Sequence, residues 1–268
     1  MSKIISIANQ KGGVGKTTTV VNLSASLAAA QKKTLFVDLD PQGNATSGVG
    51  IDKESLQKSI YHTLIGQIPI REIIIDIEPD NLKHNLNAIP SNSQLAGAEI
   101  ELIQIENREW KLKESLDLIK DSYDFILIDC PPSLNLLTVN ALAASDSVLI
   151  PVQCEYYAME GLSDLKRTIS LIKQRLNPDL KIEGYLLTMF DTRNNLCHSV
   201  ANEIKNYFNK EVFQTIIMRN VKLAESPSYG KPIILYDIGS IGANCYISLA
   251  KEMIINNGGN SFEKDFIG

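Results

Sequence analysis

The chain has 268 residues, of which 44% are hydrophobic and 21% charged, and its formal net charge is −5. Those proportions exclude a disordered or fibrous chain and suit one large α/β domain, while no apolar run reaches the ~18–20 residues of a membrane-spanning helix. The acidic balance argues against a surface built wholly for nucleic acid but leaves room for a local basic patch.

The first apolar run, Ile4–Ala8, predicts a short buried strand with no signal peptide ahead of it. Next comes Lys11-Gly12-Gly13-Val14-Gly15-Lys16-Thr17-Thr18, and then a run rich in Ala, Leu and Val that predicts a helix over Lys16–Ala30. A Gly-rich turn between a strand and a helix N-terminus is a phosphate cradle. Glycines let backbone N–H groups converge on an anion, and the helix start adds free donors and a favourable dipole. Lys16 is placed to reach the β- and γ-phosphates, and the Thr17 hydroxyl to ligate Mg²⁺. The usual spacing of such loops needs Gly at position 10, where this chain has Gln10 and then a second lysine, Lys11.

Thr34–Leu39 predicts a second strand, running into Asp38-Leu39-Asp40-Pro41-Gln42-Gly43-Asn44. Carboxylates at i and i+2 share one side of a strand, and Pro41 and Gly43 then turn the chain. A carboxylate there can orient an attacking water or accept its proton. The stretch 51–87, with Pro69 and Pro79, is the least regular and reads as helical decoration. A helix is expected over Trp110–Asp121. The strand Phe125–Asp129 then delivers the Asp129 carboxylate to the sheet edge, where it can hold Mg²⁺ through water. Strands over Ser147–Val152, Tyr185–Phe190 and Glu211–Ile217 alternate with helices over Leu162–Leu176, Ser199–Phe208 and Gly242–Ile255. The order predicts an α/β fold: a single doubly wound, mostly parallel sheet flanked by helices. One domain over 1–257 is expected, with 258–268 a flexible tail. Cys130, Cys154, Cys197 and Cys245 form no C-x-x-C pair, so reduced structural thiols in a cytoplasmic protein are expected.

The loop opening on Lys11 resembles the deviant Walker A motif of the ParA/MinD class of P-loop ATPases. Asp38 to Asn44 resembles ParA switch I, and Asp129-Cys130-Pro131-Pro132 resembles its switch II. Met218-Arg219-Asn220-Val221-Lys222-Leu223 resembles a segment that in ParA proteins surrounds adenine, with Met218 where a proline is usual. The resemblance runs from Ile4 to about Ile255 and is closest to chromosomal ParA proteins of the Soj type. It implies a Mg²⁺-dependent ATPase binding nucleotide through Lys11, Gly12, Gly13, Val14, Gly15, Lys16, Thr17, Thr18, Met218 and Asn220. By the same resemblance Lys11 acts in trans on the phosphates of a second subunit. Asp40 activates water, and Asp38 helps orient magnesium-bound water, joining Thr17 and Asp129 at the metal.

The resemblance further implies an ATP-closed homodimer that binds double-stranded DNA without sequence preference. A ParB-type centromere-binding partner stimulates hydrolysis and releases the dimer. The location implied is cytoplasmic, on the nucleoid when ATP is bound. Arg193, Arg219 and Lys222 are the candidate DNA contacts. Relatives often carry basic residues in the segment before the last helix, where this chain has Gly239 and Ile241; the resemblance then implies either weaker DNA binding or the use of other lysines, such as Lys205 and Lys231. The alternatives are a MinD-like membrane-cycling regulator of division, an iron–sulfur ATPase, or an ATP-switched regulator of proteins that binds no DNA. The sequence 261–268 is too short and too little basic for a MinD-type membrane helix, so no stable membrane association is expected. Cys130 and Cys154 follow strand ends without the paired spacing of a cluster.

Overall fold

The computed structural model describes residues 2–77, 82, 84–155 and 158–259. Its strands are β1 (Lys3–Ile7), β2 (Thr34–Asp38), β3 (Ile75–Asp76), β4 (Leu86–Ile89), β5 (Phe125–Asp129), β6 (Ser147–Gln153) and β7 (Lys181–Thr188). The helices are α1 (Lys16–Ala29), α2 (Asn44–Gly48), α3 (Ile60–Leu64), α4 (Leu95–Glu101), α5 (Lys111–Asp117), α6 (Leu136–Ala144), α7 (Ala158–Arg175), α8 (Asn195–Phe208), α9 (Val221–Glu225), α10 (Ile233–Tyr236) and α11 (Ile241–Asn256).

The strands form one sheet in the order β3-β4-β2-β5-β1-β6-β7, parallel except for β3, which runs antiparallel to β4. The continuous apolar runs follow from burial on both faces. Ile4, Leu35, Ile126 and Ile128 face a core closed by α3 to α8, whereas Ile5, Phe36, Leu127 and Leu149 face one closed by α1, α10 and α11. Successive side chains of a strand alternate between faces, so each central strand feeds both cores. β1 lies between β5 and β6, and the chain leaves it through α1 to reach β2 beyond β5. The loops leaving the C-terminal ends of β1, β2 and β5 therefore cluster at one edge, the usual ligand crevice of such sheets.

Several elements depart from the sequence expectation. Glu211–Ile217 is not a strand: only isolated bridges join Tyr185 to Val212 and Phe190 to Met218. Its backbone still meets β7, the Phe213 N–H donating to the Tyr185 carbonyl and the Ile217 N–H to the Leu187 carbonyl, but four residues of the segment span two of β7, and in that bulge the N–H groups of Gln214 (2.6 Å) and Thr215 (2.9 Å) donate to the Glu252 carboxylate of α11. β7 begins earlier than expected and ends at Thr188, because Met189 turns into the left-handed region at φ 51°. The 51–87 stretch contributes more than helices. It contains β3 and leads into β4, which pairs in parallel with β2. The helix expected over Trp110–Asp121 is regular only in α5, with tighter turns at Arg108–Trp110 and Lys120–Ser122. Helices α4 and α6 were not anticipated; α6 is buried along most of its length and carries no polar face to mark its period. Of the expected tail 258–268, all but Gly258 and Gly259 lies outside the described residues.

Candidate functional site

The loop between β1 and α1 folds as a cradle. Gly15 is the residue before the first turn of α1 and has φ 91°, a left-handed conformation that strains any residue with a Cβ. No side chain caps the helix there and no acidic residue lies in its first turn, which leaves the first N–H groups of α1 available to an anion. Two contacts with distant strands hold the loop in place. Asn9 accepts the Lys11 N–H at 3.0 Å and donates to the Pro151 carbonyl at 2.7 Å, and Thr188 donates to the Val14 carbonyl at 2.9 Å. Gly12 and Gly13 are exposed on the rim, Val14 is buried, and Thr17 and Thr18 are half-buried.

Lys16 is buried and folds over the loop, its Nζ donating to the Lys11 carbonyl at 3.0 Å. Burial lowers the pKa of its ammonium, while Asp129, Cys130 and Asp40 pull it back up. Lys11 points the other way. Its Nζ meets Glu155 Oε2 at 2.6 Å, with the two side chains 41% and 47% exposed.

Three carboxylates converge beside the loop. Asp38 and Asp129 are paired in register at the ends of neighbouring strands, and both are fully buried. Asp38 is spent on its own loop, accepting from the Asp40 N–H and from both the N–H and the hydroxyl of Thr46. Asp40 uses Oδ1 to accept the Gln42 N–H at 2.9 Å. Asp129 accepts nothing from its own loop, and the one hydroxyl that faces it is that of Thr17, at the start of α1. Burial, then Asp38 and Asp40, push its pKa well above the usual carboxylate range, and Thr17 and Lys16 beside it oppose that rise. Burial likewise lifts Asp38 to about 6, against the hydrogen bonds from Thr46. Among the described residues, no three His, Cys, Asp or Glu side chains come close enough to chelate an ion by themselves.

A cleft of about 180 Å³ opens beside Gly15 and Thr18. Met218 and Asn220 line it, together with Thr188, Met189 and Tyr246, so the far segment of the sequence does reach the phosphate cradle. Asn220 also starts α9, its side chain accepting the Leu223 N–H at 3.3 Å. The candidate DNA contacts lie outside the cradle. Arg193 clasps Asp191 through two bonds of 3.0 and 2.8 Å, and Lys222 pairs with Glu225 at 3.0 Å. Arg219 is exposed, at the mouth of the cleft. Sequence reasoning missed Asn9, Glu155 and Thr188. The one signal that pointed to them is position, since each lies at or just past the C-terminal end of a strand.

The family model described as an AAA domain matches residues 2–182. The sporulation initiation inhibitor protein Soj of Bacillus subtilis is 57% identical over 256 residues, covering 96% of this chain and 100% of the relative. The chromosome partitioning protein ParA of Myxococcus xanthus is 56% identical over 254 residues, covering 95% of this chain and 88% of the relative. Among solved structures, cobyrinic acid a,c-diamide synthase from Mycobacterium smegmatis with bound ADP and magnesium matches at a TM-score of 0.83. Its identity is 34%, over 97% of this chain and 98% of that one. With identity above one half over at least 95% of this chain and 88% of each relative, the chain belongs to the ParA/Soj family of chromosome-partitioning ATPases.

Proposed function

We propose that ATP and Mg²⁺ close two copies of this chain into a sandwich dimer that holds double-stranded DNA without regard to sequence, and that hydrolysis, stimulated by a ParB-type partner, releases it. The observation that carries the reading is Asp129: a fully buried carboxylate faced by the Thr17 hydroxyl and the Lys16 ammonium, at the neck of an anion cradle. Burial disfavours its charged form, and a hydrated cation at the Thr17 hydroxyl and the phosphates would favour it. The donor set fits Mg²⁺, which keeps its waters and takes few protein ligands; when bound, it supplies charge compensation at the phosphate oxygens. The bound ADP and magnesium of the Mycobacterium smegmatis structure support the same assignment.

In this reading the N–H groups of Gly12 to Thr18 hold the phosphates, Lys16 turns from the Lys11 carbonyl to the β- and γ-phosphates, and Met218 and Asn220 flank the base. Asp40 orients the attacking water. Asp38 acts through the Asp40 loop, to which its hydrogen bonds tie it, as well as on the water around the metal. Lys11 leaves Glu155 to reach the partner's phosphates, where a cation stabilises the charge that develops in phosphoryl transfer. Arg193, Arg219 and Lys222, with Lys205 and Lys231, meet the DNA backbone. The proposed location is cytoplasmic, on the nucleoid in the ATP state. No helix among the described residues is long and apolar enough to cross a membrane.

The deciding measurement is retention of Asp40→Ala on non-specific duplex DNA at low salt, with ATP, with ADP and without nucleotide. Slowed chemistry traps the dimer, so binding is expected with ATP only. Absence of binding by a dimer that demonstrably forms would leave an ATP-switched regulator of proteins.

A further inference from the structure

Two hydroxyls outside every motif sit beneath the loop that carries Asp40. Thr46, in α2, donates Oγ1 to Asp38 Oδ2 at 2.7 Å and its N–H to the same oxygen at 2.8 Å. That Oγ1 also accepts the N–H of Ser91 at 2.9 Å, and the Ser91 hydroxyl in turn donates to the Asp40 carbonyl at 2.8 Å. Asp38 closes the ring by accepting the Asp40 N–H at 3.2 Å. Asp38, Thr46 and Ser91 are wholly buried, and Asp40 is 9% exposed. The ring therefore joins three separate stretches: the end of β2, the helix α2 and the turn after β4.

The turn after β4 is itself anchored. The Pro90 carbonyl accepts the Ile60 N–H at 3.0 Å. The fit against the Asp40 loop is close as well: a Cβ at Gly43 would lie 2.8 Å from the Ser91 carbonyl oxygen. Asp40 is thus held from below at its backbone by Ser91 and at its side chain by Gln42.

We propose that Thr46 and Ser91 are positioning residues for Asp40, which set the rate of hydrolysis and leave nucleotide affinity alone. The proposal rests on the reading of Asp40 as the group that orients water. Such a group must be held within a fraction of an ångström, and about 1 Å of misplacement costs on the order of a hundredfold in rate. Neither hydroxyl faces the phosphate cradle or the base cleft; their hydrogen bonds go to Asp38 and to the Asp40 loop. In Ser91→Ala the Asp40 carbonyl keeps the Gly43 N–H at 2.9 Å, so the loop stays folded but gains freedom.

The test uses the full chain and three variants, Ser91→Ala, Thr46→Val and Thr46→Ser, with kcat and KM for ATP hydrolysis, ATP affinity by calorimetry, and melting temperature. Ser91→Ala and Thr46→Val should lose about tenfold in kcat with ATP affinity within twofold of wild type. Thr46→Ser, which keeps the hydroxyl, should recover most of the rate. In an Asp40→Ala background, Ser91→Ala should change nothing further, because both act through one group. Wild-type kcat in Ser91→Ala, affinity falling in step with kcat, or independent effects in the double variant would each overturn the proposal. If Thr46→Val does not fold, Ser91→Ala and the double variant still decide. If Asp40→Ala alone hydrolyses at the wild-type rate, the reading of Asp40 fails, visibly and before any question of Ser91 arises.

Discussion

A lysine ammonium that donates to a carbonyl of its own loop is a lysine waiting for a stronger acceptor. Lys16 is such a group, buried and 3.0 Å from the Lys11 oxygen. Exchanging that carbonyl for phosphate oxygens converts a charge–dipole contact into a charge–charge one, of order 1.5–3 kcal/mol or more. Lys16→Ala should therefore lose ATP affinity at least tenfold by calorimetry, and unchanged affinity would rule the loop out as a phosphate site. Asp38 gives the fold a pH dependence of its own. Burial raises its folded pKa to about 6, above that of an unfolded aspartate. An acid that holds its proton more tightly when folded stabilises the fold at low pH. That contribution is lost as pH climbs from about 4 through about 6. Asp38→Asn should thus flatten this part of the stability–pH curve of the nucleotide-free protein, measured by denaturant titration. A steeper fall in the variant would contradict the assignment.

At the scale of elements, the segment 212–218 shows one side chain overruling local propensity. Its apolar residues suit a strand, yet Glu252 holds the N–H groups of Gln214 and Thr215 and leaves only two bridges to β7 and its end. The same segment brings Ile217 and Met218 to the wall of the cleft. Glu252→Ala should cost about 1–2 kcal/mol of stability in denaturant unfolding. Amide exchange should speed up at Gln214 and Thr215, and nucleotide affinity should weaken severalfold. Unaltered exchange at those two amides would show that the segment holds its path unaided. The contrast with β5 explains what was legible. Phe125–Asp129 is continuous, apolar and ends in a carboxylate, so both its burial and its chemistry lie within five neighbouring residues. The phosphate loop and the Asp40 loop are local in the same way. Asn9 against Pro151, Lys11 against Glu155 and Thr188 against Val14 are meetings across more than 140 residues, which no spacing in the sequence encodes. Helix α6 escaped for another reason: a helix buried along most of its surface has no polar stripe to betray its turn.

For the whole molecule, charge sets the terms on which DNA can be held. The chain is acidic at −5, and two of its three candidate contacts already have carboxylate partners, Arg193 with Asp191 and Lys222 with Glu225. Exposed pairs of this kind are weak, so a phosphate can displace them, but each displacement subtracts from affinity. Asp191→Asn should tighten binding of the ATP-trapped dimer to any duplex, whereas Arg193→Ala should weaken it equally for all sequences and lower the salt slope by about 0.9 per lost contact. Sequence-dependent losses in filter binding across a salt series would contradict a backbone-only role.

The contact between Lys11 and Glu155 has a consequence that only symmetry brings out. A two-fold assembly contains every such contact twice. If closure breaks each one at up to about 1 kcal/mol, the dimer as a whole is penalised by roughly 2 kcal/mol, about thirtyfold in its dissociation constant. A marginal surface bond thus becomes a threshold on the number of copies present, below which ATP-loaded chains stay apart. On the proposed cycle salt would act on that threshold in the direction opposite to its effect on DNA: screening would loosen Glu155 and ease assembly while weakening the proposed hold on DNA. Glu155→Gln should assemble at lower protein concentration than the wild type in sedimentation experiments with ATP, with the difference shrinking as salt rises.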